Sequence, residues 1–98
     1  MLHIIPLQQT PNQSLSFNIG TQSIHLTLVT RNDKQLFATV QANNQLIVAN
    51  RICLDAVPLI SVDYLPIVGN LAFFDTQGKE NPNYKELGSR FVLVYSEK

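Results

Sequence analysis

From Ser14 to Ile19 the chain alternates strictly between polar and apolar side chains, with Leu15, Phe17 and Ile19 sharing one side. Successive side chains of an extended strand point to opposite faces, so this period of two specifies a half-buried strand and fits no helix. Ser23 to Arg31 repeats the pattern, with Ile24, Leu26 and Leu28 facing in and His25 and Thr27 facing out. Gly20-Thr21-Gln22 separates these strands. Arg31-Asn32-Asp33-Lys34 follows as a second turn, since Asn and Asp tolerate turn conformations and bond their own backbone. Gln35 to Gln41 and Gln45 to Ala49 then flank a hairpin tip at Asn43-Asn44. Consecutive strands joined by short polar turns predict an antiparallel meander.

The second half is less regular. Val57-Pro58-Leu59-Ile60 and Leu65-Pro66-Ile67-Val68-Gly69 carry proline inside apolar runs. Proline lacks the N–H that a central strand donates, so these runs belong at a sheet edge or in packed extended connections. Leu71 to Asp75 reads as a strand, and Thr76-Gln77-Gly78-Lys79 turns away from it. Asn81-Pro82-Asn83 opens a loop or single helical turn over Tyr84 to Leu87, stopped at Gly88 by a left-handed cap. Arg90 to Ser96 is the last strand. The fold expected is all-β: one domain spanning residues 1–98, a small antiparallel sandwich or barrel-like unit built from a meander with Pro-rich connections. Leu71–Phe74 and Phe91–Tyr95 are apolar on both faces, so their second face needs cover from a Pro-rich segment or from another subunit.

Charge narrows the function. Charged residues are 14% of the chain and sum to zero, against about 25% in an average soluble domain. Asn and Gln together outnumber them. Interface cores are depleted in charge, so a surface made to be covered by neighbours has this composition. The seven Lys and Arg are scattered, which argues against nucleic acid as the main partner. No run approaches the roughly 20 apolar residues of a membrane-spanning helix, and the N-terminus lacks a basic region ahead of a long apolar run. Neither a membrane nor a secretion signal is expected.

No catalytic constellation can be written. His3 and His25 lie far apart, and with Cys53 the single thiol there is no paired Cys or His pattern for a metal. His25 reads as a solvated surface residue. Cys53, between Ile52 and Leu54, reads as a buried structural cysteine with a raised thiol pKa. The spacing of Asp55, Asp63, Asp75, Glu80 and Glu86 selects no acid–base pair. The four glycines are isolated, so there is no phosphate loop. Asn12-Gln13-Ser14 matches a glycosylation acceptor pattern, but its better reading is the extended approach to the first strand. No cofactor is implied and the chain is not expected to be an enzyme. Arg31, Arg51, Tyr64 and Phe74 are the interface candidates, because aromatics and Arg are enriched at interface cores.

Several short stretches carry a family resemblance. They are Ile4-Ile5-Pro6-Leu7, Pro11-Asn12-Gln13-Ser14-Leu15-Ser16-Phe17, and Leu65-Pro66-Ile67-Val68-Gly69-Asn70-Leu71-Ala72-Phe73-Phe74-Asp75. Asn81-Pro82-Asn83-Tyr84-Lys85-Glu86-Leu87-Gly88 and Arg90-Phe91-Val92-Leu93-Val94-Tyr95 complete the set. In this order the chain resembles the small cyanophage-type plug proteins of phage tail baseplates, from about Ile4 to Tyr95. The resemblance implies structural roles, and no chemistry, for Pro11, Asn12, Gln13, Pro58, Gly69, Pro82, Tyr84, Leu87 and Gly88. It also implies a virion component of the baseplate hub, near the distal end of the tail tube and made in the host cytoplasm. Its partners would be hub and tail-tube proteins and further copies of itself. The alternative is a stand-alone β module binding a sugar or peptide, although aromatics are 8% of the chain and Trp is absent.

Overall fold

The computed structural model describes residues 2–19, 21–32, 35–60 and 69–96. Its strands are β1 (Leu2–Ile5), β2 (Asn12–Ile19), β3 (Gln22–Arg31), β4 (Gln35–Ala42), β5 (Gln45–Ile52), β6 (Asn70–Asp75) and β7 (Phe91–Ser96). A single 3-10 turn, Tyr84–Glu86, sits between β6 and β7. The meander β2-β3-β4-β5 forms a four-stranded sheet, and β1-β7-β6 forms a three-stranded one. All ladders within the two sheets are antiparallel.

The alternation read from sequence sets the inner faces. Ile24, Leu26 and Leu28 on β3 and Leu36, Ala38, Val40 and Ala42 on β4 are buried, and they meet Leu71, Phe73, Phe91, Leu93 and Tyr95 of the other sheet in one cluster. Burying each large side chain contributes about 1.5–3 kcal/mol. The two sheets therefore form a sandwich, which resolves the sandwich-or-barrel alternative. Gln22 is the buried polar residue of this core; its Nε2 donates to Tyr95 Oη at 2.9 Å.

Turn chemistry agrees with the residues present. Asn43 and Asn44 have φ of 52° and 68°, the left-handed pair that a two-residue hairpin needs, and Ala42 faces Gln45 across it. Leu87 caps the 3-10 turn and Gly88 follows it at φ +81°, where a Cβ would come within 3.0 Å of the Leu7 carbonyl oxygen. Gly69, at φ +92°, leads into β6 where a Cβ would collide with the Ser96 carbonyl and the Tyr95 ring. No other residue type fits that spot without movement.

Two elements exceed the sequence reading. β1 was not expected as a strand, and β5 continues beyond Ala49 to Ile52. The ladder between β4 and β5 is irregular between Ala38 and Gln41, and Asn50 sits at φ 50°. That bulge breaks the period-two pattern which would have announced the extension. The Gly20, Asp33 and Lys34 parts of the expected turns and the run Leu65–Val68 lie outside the described residues.

Candidate interaction surfaces

The outer face of the three-stranded sheet is apolar across all its strands. Ile4, Val94 and Ala72 are register partners in one row, and Val92 faces Phe74 in the next. Ile4 is 70% exposed and Phe74 42%. This is the second face that the doubly apolar strands β6 and β7 were expected to need covered. The Pro58 run borders it, and the second Pro-rich run, Leu65–Val68, lies outside the described residues. The Pro58 run follows the β6 edge, where the Ala56 amide donates to the Phe73 carbonyl and the Leu59 amide to that of Leu71, both at 2.8 Å. Between that run and the sheet opens a groove of about 360 Å³, lined by Ala56, Pro58, Ala72, Phe74, Val94 and Ser96 among others. Exposed apolar faces are candidates for contact with other proteins.

Charged groups gather elsewhere, at the far end of β6. Arg90 grips Asp75 with two parallel hydrogen bonds, Nε to Oδ1 and one terminal nitrogen to Oδ2, each 2.8 Å. The amides of Gln77 and Glu80 also donate to that carboxylate at 2.8 Å. Glu80 and Glu86 approach the same guanidinium at 3.2 and 3.7 Å. The Arg90 bonds, helped by the two amides, hold the Asp75 carboxyl well below the usual carboxylate range. Asp55 Oδ1 in turn accepts from the Asp75 amide at 2.8 Å. So Asp75, Glu80 and Glu86 do come together, around a cation that the sequence reading did not single out, while Asp55 bonds only the backbone of Asp75. A carboxylate locked ionised by so many donors is neither a proton donor nor a general base at neutral pH. The cluster fastens the loop between β6 and β7.

Cys53 is buried, and burial pushes its thiol up to about 12, opposed by the nearby Arg51 charge. The rings of His3 and Tyr95 lie 6.1 Å apart. His25 is exposed, with Nδ1 2.7 Å from Ser16 Oγ. Among the described residues no group of three or more His, Cys, Asp or Glu is placed to hold a metal ion.

The interface candidates do not converge. Arg31 is exposed at the end of β3, its guanidinium carbon 4.9 Å from the Phe37 ring centroid. Arg51 faces Ala38 on β5 and is half-buried. Phe74 stands on the outer face of the opposite sheet. Tyr64 lies outside the described residues. Of the described candidates only Phe74 sits on the apolar face, and the neighbours that make it a patch (Ile4, Ala72, Val92, Val94) become recognisable only when register aligns three strands distant in sequence.

The motif residues occupy structural positions. The Gln13 side chain bonds both backbone groups of Gln8, accepting from N at 3.1 Å and donating to O at 2.6 Å. Asn12 Oδ1 accepts from the Thr30 amide at 3.2 Å, beside exposed Pro11. Leu87 is in the core, Tyr84 packs against it, and Pro82 is buried.

The class the fold defines is a small two-layer β-sandwich, with an ion cluster at one end of β6 and an apolar outer face on the three-stranded sheet. Comparison with protein families makes this specific. The family described as cyanophage baseplate Pam3 plug gp18 matches residues 2–98, and the chain belongs to that family. No curated protein matches it.

Proposed function

We propose that this chain is a plug at the baseplate hub, seated near the distal end of the tail tube, where it closes or lines the channel until the tail fires. Membership of a baseplate plug family over residues 2–98 is the observation that carries this reading, and it gives the chain a structural role in a phage tail baseplate. The mechanism is binding without turnover. The apolar outer face, with Ile4 and Phe74 exposed, packs against hub or tube proteins, and covering it removes apolar area from water. The low charge of the chain suits such burial, because no ion need be desolvated when the face is covered. Release on firing requires that the hub offer this face different contacts in its two states. The chain is made in the host cytoplasm and incorporated during tail assembly.

Complementation tests this. A phage lacking the gene is supplied with the wild-type chain or with Phe74→Glu. The reading expects the wild type in purified tails and the folded variant excluded from them. Equal incorporation of both would remove the apolar face from the account.

A further inference from the structure

Among the described residues, one flank of the sandwich is unpaired on both layers. β1 and β2 are the outer strands of their respective sheets, and residues 6–11 carry the chain directly from one to the other. So short a connection places these two edges above one another on the same side of the molecule. On the opposite flank the chain itself pairs the β6 edge, through the bonds of Ala56 and Leu59 to Phe73 and Leu71, while the Cys53 amide extends the β4–β5 ladder to Leu36.

The open flank lacks the usual protections. Residues 1–30 contain no Lys, Arg, Asp or Glu. The ladder of β2 with β3 runs from Asn12–Val29 to Ile19–Gln22 without a bulge, whereas the other edge of that sheet, β5, is irregular. Edge strands are normally guarded against pairing by charge, bulges or proline. On the inner side, Leu15, Phe17 and Ile19 are only half-buried although they pack on the core.

Backbone parity gives the bonding groups. The Thr30 amide points toward Asn12, while Ser23 exchanges bonds with Asn43 on the opposite side. The even-numbered residues of β3 therefore bond β2, and their register partners Gln13, Leu15, Phe17 and Ile19 bond back. Ser14, Ser16 and Asn18 consequently direct their N–H and C=O groups outward, and all three residues are exposed.

We infer that β2 pairs antiparallel with β2 of a second copy across a two-fold axis, with β1 edges meeting in the other layer. A register centred on Ser16 sets Ser16 against Ser16 and Ser14 against Asn18. It also lays Leu15 of one copy beside Phe17 of the other, joining the half-buried flanks. Two features favour a second copy over a foreign strand. A lone strand extends one layer only, whereas another copy presents two edges at the same spacing. An isologous contact also sets every residue near its own equivalent, which an edge free of charge tolerates without repulsion.

Analytical ultracentrifugation of the purified chain tests this, with hydrogen exchange at Ser14, Ser16 and Asn18. The wild type should sediment at twice the chain mass of 11.0 kDa, and those amides should lose protection on dilution. Ser16→Lys and, separately, Ser14→Lys should sediment as folded monomers, while Gln45→Lys on the far flank stays dimeric. A wild type monomeric at every concentration overturns the inference, even where the β2 edge then captures a hub protein. So does a dimer unaffected by both β2 lysines. The baseplate reading stands or falls separately, on incorporation into tails.

Discussion

Gln22 Nε2 donates to Tyr95 Oη at 2.9 Å, joining the first residue of β3 to the inner face of β7 through the middle of the sandwich. Both residues are buried, so the bond aligns the two sheets where water cannot replace it. Tyr95→Phe keeps the ring and removes the acceptor. Leaving a buried amide short of a partner costs about 1–3 kcal/mol, and thermal unfolding of the variant should fall by several degrees with its circular dichroism spectrum unchanged. An unaltered midpoint would mean that the bond contributes nothing net.

The Asp75–Arg90 pair predicts acid behaviour. The Asp75 carboxyl is depressed below its ordinary value of 3.8. A depressed folded-state pKa contributes stability that is complete above the unfolded value and is lost as pH falls through the folded one. Asp75→Asn should therefore be less stable than wild type at neutral pH. The gap should hold down to about pH 4 and close only in stronger acid. A gap that is constant down to the most acid pH would show that the loss comes from packing rather than ionisation.

Cys53 predicts the opposite limb. Its thiol is raised from 9.0 to about 12 by burial, so the folded state holds the proton more tightly than the unfolded chain. Stability from this group is complete below pH 9 and falls as pH rises toward 12. The slope is at most about 1.4 kcal/mol per pH unit. Cys53→Ala, less stable at neutral pH because of the cavity it leaves, should show a shallower alkaline decline in urea unfolding. Parallel declines in the two proteins would contradict the assignment.

Much of the fold was legible because its residues obey local rules. Leu15–Ile19 and Ile24–Leu28 state their faces by alternation, Asn43-Asn44 states its turn, and Gly88 the stop after the 3-10 turn. β1 and the end of β5 were missed for a common physical reason. Four residues ending at Pro6 are too few to display a period, and the bulge near Asn50 breaks one. The apolar face was legible only in part: that β7 is apolar on both sides is written locally, but Ile4, Ala72 and Phe74 become its neighbours only through pairing over long sequence separations. The Arg90 cluster was invisible for the same reason, since Asp75 and Arg90 have no helical or strand spacing to connect them.

Quantitative mass spectrometry of purified tail particles, scaled to the tube protein, bears most directly on the plug assignment. The account predicts a small fixed number of copies per tail that resists salt washing, and loss of the chain from particles made with Phe74→Glu. Intact, infectious tails that contain none of the wild-type chain would contradict it.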